Sequence, residues 1–78
     1  MASHINLFDT VAVIVDIPDF GLSVGEVGAV VEVVGDGEAF EVEFCDSNGR
    51  TYGLHTLRAT QLIALHNQGQ PSVYASRR

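Results

Sequence analysis

The sequence has no lysine and no tryptophan, a single cysteine, and two prolines among its 78 residues. With Cys45 alone, a disulfide within the chain is excluded, which fits a reducing compartment. Without lysine, the fixed cations are four arginines, and two of them, Arg77 and Arg78, close the sequence. Residues 1–66 therefore set ten carboxylates against Arg50 and Arg58, a formal balance of −8. Binding to phosphate needs cations, so nucleic acid is not an expected partner, and neither is an anionic membrane surface. The apolar run Val27–Val34 is too short to span a bilayer, and Glu32 interrupts it. No charged-then-apolar leader opens the sequence, so a signal peptide is not expected and a cytoplasmic setting is. At this length there is room for one domain, with a thin stability margin that a partner often widens.

What is present is valine in short runs, divided by glycine-bearing turns about every ten residues. That spacing belongs to a small all-β sheet or barrel rather than to helices. It predicts strands at Thr10–Asp16, Val27–Val34, Ala39–Cys45, Thr51–Leu57 and Leu62–Leu65. A loop opening at Pro18-Asp19-Phe20-Gly21-Leu22 and closed by Gly25 separates the first two strands. A single helical turn over Arg58–Gln61 precedes the last. Residues 1–66 form the domain, and 67–78, polar and carrying Gly69 and Pro71, read as a disordered tail.

The turns set registers. Asp36-Gly37 suits a two-residue type I′ hairpin, which places Val33, Val31 and Ala29 opposite Phe40, Val42 and Phe44 on one apolar core face. A three-residue loop, Ser47-Asn48-Gly49, places Tyr52 opposite Phe44 and Leu54 opposite Val42, with Gly49 left-handed in a bulge. The same register sets Glu38 across from Arg58 and Asp46 across from Arg50. Together they predict a row on the solvent face: Glu32, Glu41, His55.

That row has two interpretations. One is a solvated face, with His55 relieving repulsion between carboxylates. The other is a weak divalent-metal site, although straight rows splay ligands about 5 Å apart. Other candidates are weaker. His4 and His66 lack a companion at ligand spacing. Cys45 reads as a small apolar filler at a strand end. Asp16 and Asp19 flank a proline turn whose chemistry explains both. Ser23, Ser47 and Thr56 have no triad context, and Gly25-Glu26-Val27-Gly28 lacks the features of a phosphate loop. No catalytic residue, cofactor or metal is expected, and the chain is not expected to be an enzyme. Val30 and Val34 alternate outward with Glu32, and Phe20 and Leu22 sit in a loop. The expected partner surface therefore comprises Phe20, Leu22, Val30, Glu32, Glu41, Glu43 and His55.

Several segments resemble one small bacterial family, catalogued as domain of unknown function 4926. They are Leu7-Phe8-Asp9-Thr10-Val11, Asp16-Ile17-Pro18-Asp19-Phe20-Gly21-Leu22, and Gly25 through Val33. Ala39-Phe40-Glu41-Val42-Glu43-Phe44, Thr56-Leu57 and Gln61-Leu62 continue the likeness. The resemblance implies a stand-alone five-stranded SH3-like barrel in a bacterial cytoplasm, without established catalytic residues. Gly25 and Gly28 would permit a tight turn and a bulge there. Expected functions follow in order. The first is a protein-interaction module, the neutralising or accessory member of a bacterial gene pair. The second is an accessory subunit of a larger enzyme or electron-transfer assembly. The third is a small enzyme or metal binder. A protein partner is expected, and a homodimer is compatible with each.

Overall fold

The computed structural model describes residues 4–65. Five antiparallel strands, β1 (Thr10–Val13), β2 (Val27–Val34), β3 (Ala39–Cys45), β4 (Thr51–Arg58) and β5 (Leu62–Ala64), form one sheet. Their order is β4-β3-β2-β1-β5. The all-β expectation holds, and β2 and β3 have the predicted limits. β1 ends early, at Val13; the chain bends at Val15, and Asp16 Oδ1 accepts the Val24 N–H at 3.0 Å. The expected tail, 67–78, lies outside the described residues.

The loop between β1 and β2 is ordered by its own sequence. Pro18 starts a 3-10 turn, Pro18–Phe20, and Gly21 ends it in the left-handed region at φ 70°. Ile17 and Leu22 bridge its base and insert into the core. The turn predicted before β5 is a second 3-10 turn, Ala59–Gln61, with the Arg58 N–H donating to Gln61 Oε1 at 2.8 Å.

One face of the sheet makes the core: Val11 and Val13 on β1, Val30 on β2, Phe40, Val42 and Phe44 on β3, Leu57 on β4 and Leu62 on β5. Two bulges decide which residues reach it. Val33 pairs with Phe40 as expected, but the register then shifts, so Val30 pairs with Val42 and Gly28 with Phe44. Val31 and Ala29, expected inside, are exposed, and Val30, expected outside, is 0% exposed. Gly28 explains the shift. A Cβ there would lie 2.7 Å from Val42 Cγ1, 2.8 Å from the Glu43 carbonyl oxygen and 2.9 Å from Phe44 Cδ1. The unshifted register would put Ala29 in that place, where its side chain has no room.

The turns are partly as expected. The β2–β3 connection keeps the register of a two-residue loop but is a four-residue turn over 35–38. The positive φ angles there fall on Gly35 (64°) and Gly37 (91°), not on Asp36, so it is not type I′. The β3–β4 loop is the predicted three-residue one. Gly49 is left-handed at φ 79°, and the Asp46 N–H donates to the Arg50 carbonyl at 2.8 Å. Asp46 Oδ1 also accepts the Asn48 and Arg50 N–H groups at 2.8 and 3.0 Å. A bulge between Phe44 and Cys45 then moves β4 by one residue. Val42 faces His55 rather than Leu54, Phe44 faces Gly53 rather than Tyr52, and Arg58 faces Ala39 rather than Glu38.

Candidate functional site

Directly paired residues share a face of an antiparallel sheet. The second bulge therefore carries His55 to the core side, away from the carboxylates it was expected to join. Its ring stacks on Phe20 from the β1–β2 loop, with centroids 4.4 Å apart and planes 9° from parallel. Phe44 lies beneath, 6.4 Å from the same ring. The loop is tied to β4 a second time: the Tyr52 hydroxyl donates to Glu26 Oε1 at 2.7 Å. Glu26 Oε2 accepts the Ser23 N–H at 2.7 Å. The tyrosine hydrogen bond, then the backbone one, holds the Glu26 carboxyl below its usual range. The same bond to Glu26 raises the Tyr52 phenol above its usual value. Phe20, His55, Tyr52 and Glu26 thus strap the loop over one edge of the core.

The expected partner surface is divided by these facts. Leu22 and Val30 are core residues, His55 is half-buried under Phe20, and Phe20 keeps 40% of its surface exposed. Glu32 and Glu41 do pair across β2 and β3 on the outer face, with Thr56 rather than His55 completing the row. The arrangement overturns the three-ligand row on which the metal interpretation stood. Among the described residues, no group of three or more histidine, cysteine or carboxylate side chains is placed to hold an ion. Cys45 is exposed rather than a packed filler, with its sulfur 3.9 Å from Thr51 Oγ1. His4 is exposed, and His66 lies outside the described residues.

The outer face holds what the sequence patterns missed. Ala12 pairs with Val27 on one side and Ile63 on the other, which lays three apolar residues across β2, β1 and β5. Val27 and Ile63 are 46% and 44% exposed. The neighbouring row runs from Leu54 through Glu43 and Ala29 to Thr10. Leu54, expected inside, is 53% exposed. Thr51 Oγ1 donates to the Glu43 carboxylate. The face is therefore apolar toward β5 and acidic toward β3, which carries Glu43 and Glu41, the latter paired with Glu32 of β2. The alternation Val27, Ala29 and Ala12, Ile63 was visible in the sequence. Which parity faced water was not.

A second surface feature precedes β1. Phe8 has φ 72°, a left-handed conformation that a bulky side chain rarely adopts, and 75% of its surface is exposed. Hydrogen bonds on both sides hold it: Phe8 N–H donates to the Val30 carbonyl at 2.8 Å, and Val30 N–H to the Asp9 carbonyl at 2.9 Å.

Fold and surface together define a small all-β domain with a loop strapped over its core and an amphipathic outer face. The chain belongs to the family described as Domain of unknown function (DUF4926), whose model matches residues 7–64. No curated protein and no solved structure matches it. Among the described residues, no helix is long and apolar enough to cross a membrane.

Proposed function

We propose that this chain is a non-catalytic protein-interaction or accessory module, an SH3-like barrel working in a bacterial cytoplasm as the neutralising or accessory member of a gene pair. One observation carries the proposal: more large apolar side chains stand exposed than lie buried among the described residues. Scattered surface valines are ordinary, but contiguous apolar rows on a small domain mark contact surfaces. The strong acidic balance selects among partners by steering basic ones and repelling acidic ones.

Affinity capture of the tagged chain from its host, at low and at high salt with mass spectrometry of the captured material, tests the proposal. A stoichiometric partner released by salt supports a module that binds through charge. A partner retained at high salt supports a permanent accessory subunit held by apolar surface. Recovery of the chain alone, with its genomic neighbours co-expressed, refutes both.

A further inference from the structure

We propose that the outer face of the sheet is the docking surface, and that its occupant is a protein segment bearing basic side chains beside apolar ones. The proposal rests on the interaction-module function above and adds the surface and the partner's chemistry.

The face is built in two halves. Val27, Ala12 and Ile63 lie in one row of paired residues across three strands, a span of roughly 10 Å. On the same side of the sheet Glu43 of β3 lies in the next row, and Glu41 of β3 and Glu32 of β2 pair in the row beyond it. Among the described residues Arg58, at the end of β4, is the one arginine in a strand, and its pairing with Ala39 sets it on the same face as Glu41. An apolar partner alone would bury three carboxylates against the single arginine Arg58, which is costly. A nucleic acid or anionic lipid would be repelled. Lysine or arginine side chains adjoining an apolar ridge satisfy both halves at once.

A second copy of this chain is the natural competitor, and charge argues against it. Stacked sheets lie about 10 Å apart, so two copies joined by this face would set each group of carboxylates against the other group or against the apolar row, and in neither case against a matching set of cations. Each copy also brings ten acids against Arg50 and Arg58 within residues 4–65. Like charges juxtaposed in an interface suppress that pairing.

The test uses the full chain, labelled with nitrogen-15, and two synthetic peptides. One alternates lysine with valine; the other alternates glutamate with valine. The lysine peptide is expected to shift the amides of Val27, Ala29, Glu43, Leu54 and Ile63 saturably, and the glutamate peptide to shift none of them. E32K/E41K, which changes exposed or half-exposed charges only, is expected to weaken the lysine peptide at least about tenfold. V27S is expected to weaken it without changing its salt dependence. Shifts spread evenly over Asp16, Asp19 and Asp36 would mean unspecific attraction and overturn the proposal, as would the absence of shifts. Sedimentation showing a dimer that E32K/E41K tightens would replace the basic partner with a second copy. If the partner recovered by affinity capture binds wild type and E32K/E41K equally, the face is wrong while the module function stands. If no partner is recovered at all, the module function itself has failed.

Discussion

Replacing Gly28 with alanine should destabilise the protein although it asks nothing of the backbone. Gly28 pairs with Val11 and Phe44 in ordinary strand geometry, so alanine can adopt its φ and ψ. Alanine also restricts the unfolded chain, which alone favours folding by about 0.4–1 kcal/mol. Against this stands the collision of one methyl group with Val42 Cγ1, the Glu43 carbonyl and Phe44 Cδ1, all at 2.7–2.9 Å. Val42 and Phe44 are fully buried and have nowhere to turn, and the third neighbour is main chain. Overpacking of this kind costs about 1–3 kcal/mol. Three simultaneous collisions place the cost in the upper half of that range, so the net loss should be about 1–2.6 kcal/mol, and each kcal/mol lowers Tm by about 4–8 °C in a domain of this size. Gly53 is the internal comparison. An added Cβ there would meet only His55, at 3.0 Å from Nε2 and 3.2 Å from Cδ2. That ring is a half-buried side chain that needs to shift by only a few tenths of an ångström, and no main chain is in the way, so Gly53→Ala should cost less. Urea and thermal unfolding followed by circular dichroism measure both. A Gly28→Ala protein as stable as wild type, or a Gly53→Ala protein that loses more, would refute the packing explanation of the β2 bulge.

Two further perturbations probe the surface. Phe8→Gly should leave stability unchanged or raise it by up to about 1.5 kcal/mol in urea unfolding. It relieves left-handed strain of about 1–2 kcal/mol and incurs the glycine entropy penalty of about 0.5–1 kcal/mol; a loss above 1 kcal/mol would show that the exposed ring is a packing element. Tyr52→Phe should return the Glu26 carboxyl toward its ordinary range in an NMR titration, because the hydroxyl is the largest cause of its depression. The signs follow. Glu26 is lowered by folding, so its contribution is complete above the ordinary carboxylate range and is lost as pH falls through the folded value. Tyr52 is raised, so its contribution is complete below the ordinary phenol value and is lost as pH rises through the folded one. An unmoved Glu26 in Tyr52→Phe would contradict the hydrogen bond.

Strand positions were legible because glycine and proline punctuate them and valine fills them. β2, Val27–Val34, and β3, Ala39–Cys45, follow the expected limits exactly as the turn residues bracket them. Registers next to the turns were legible too: Val33 faces Phe40, and Gly49 takes its left-handed place. Both depend on residues close in sequence. The candidate site was less legible. Glu32 and Glu41 were correctly paired, but His55, Leu22 and Val30 were assigned to a surface they do not share.

What the chain's own pattern determined is therefore the set of strands, the closing turns and the acidic bias. What only the tertiary structure decided is which side of each strand faces inward. In Val27–Val34 both alternations are mostly apolar, so period-two reasoning has no preference between them. The choice was made at a distance, where Phe44 and Val42 leave space for Gly28 and for no larger residue. One extra residue at each bulge then inverted the faces beyond it, placing His55 under Phe20 and Leu54 in water. Local sequence carries turn geometry, but the fit of one strand against another exists only once both are in place.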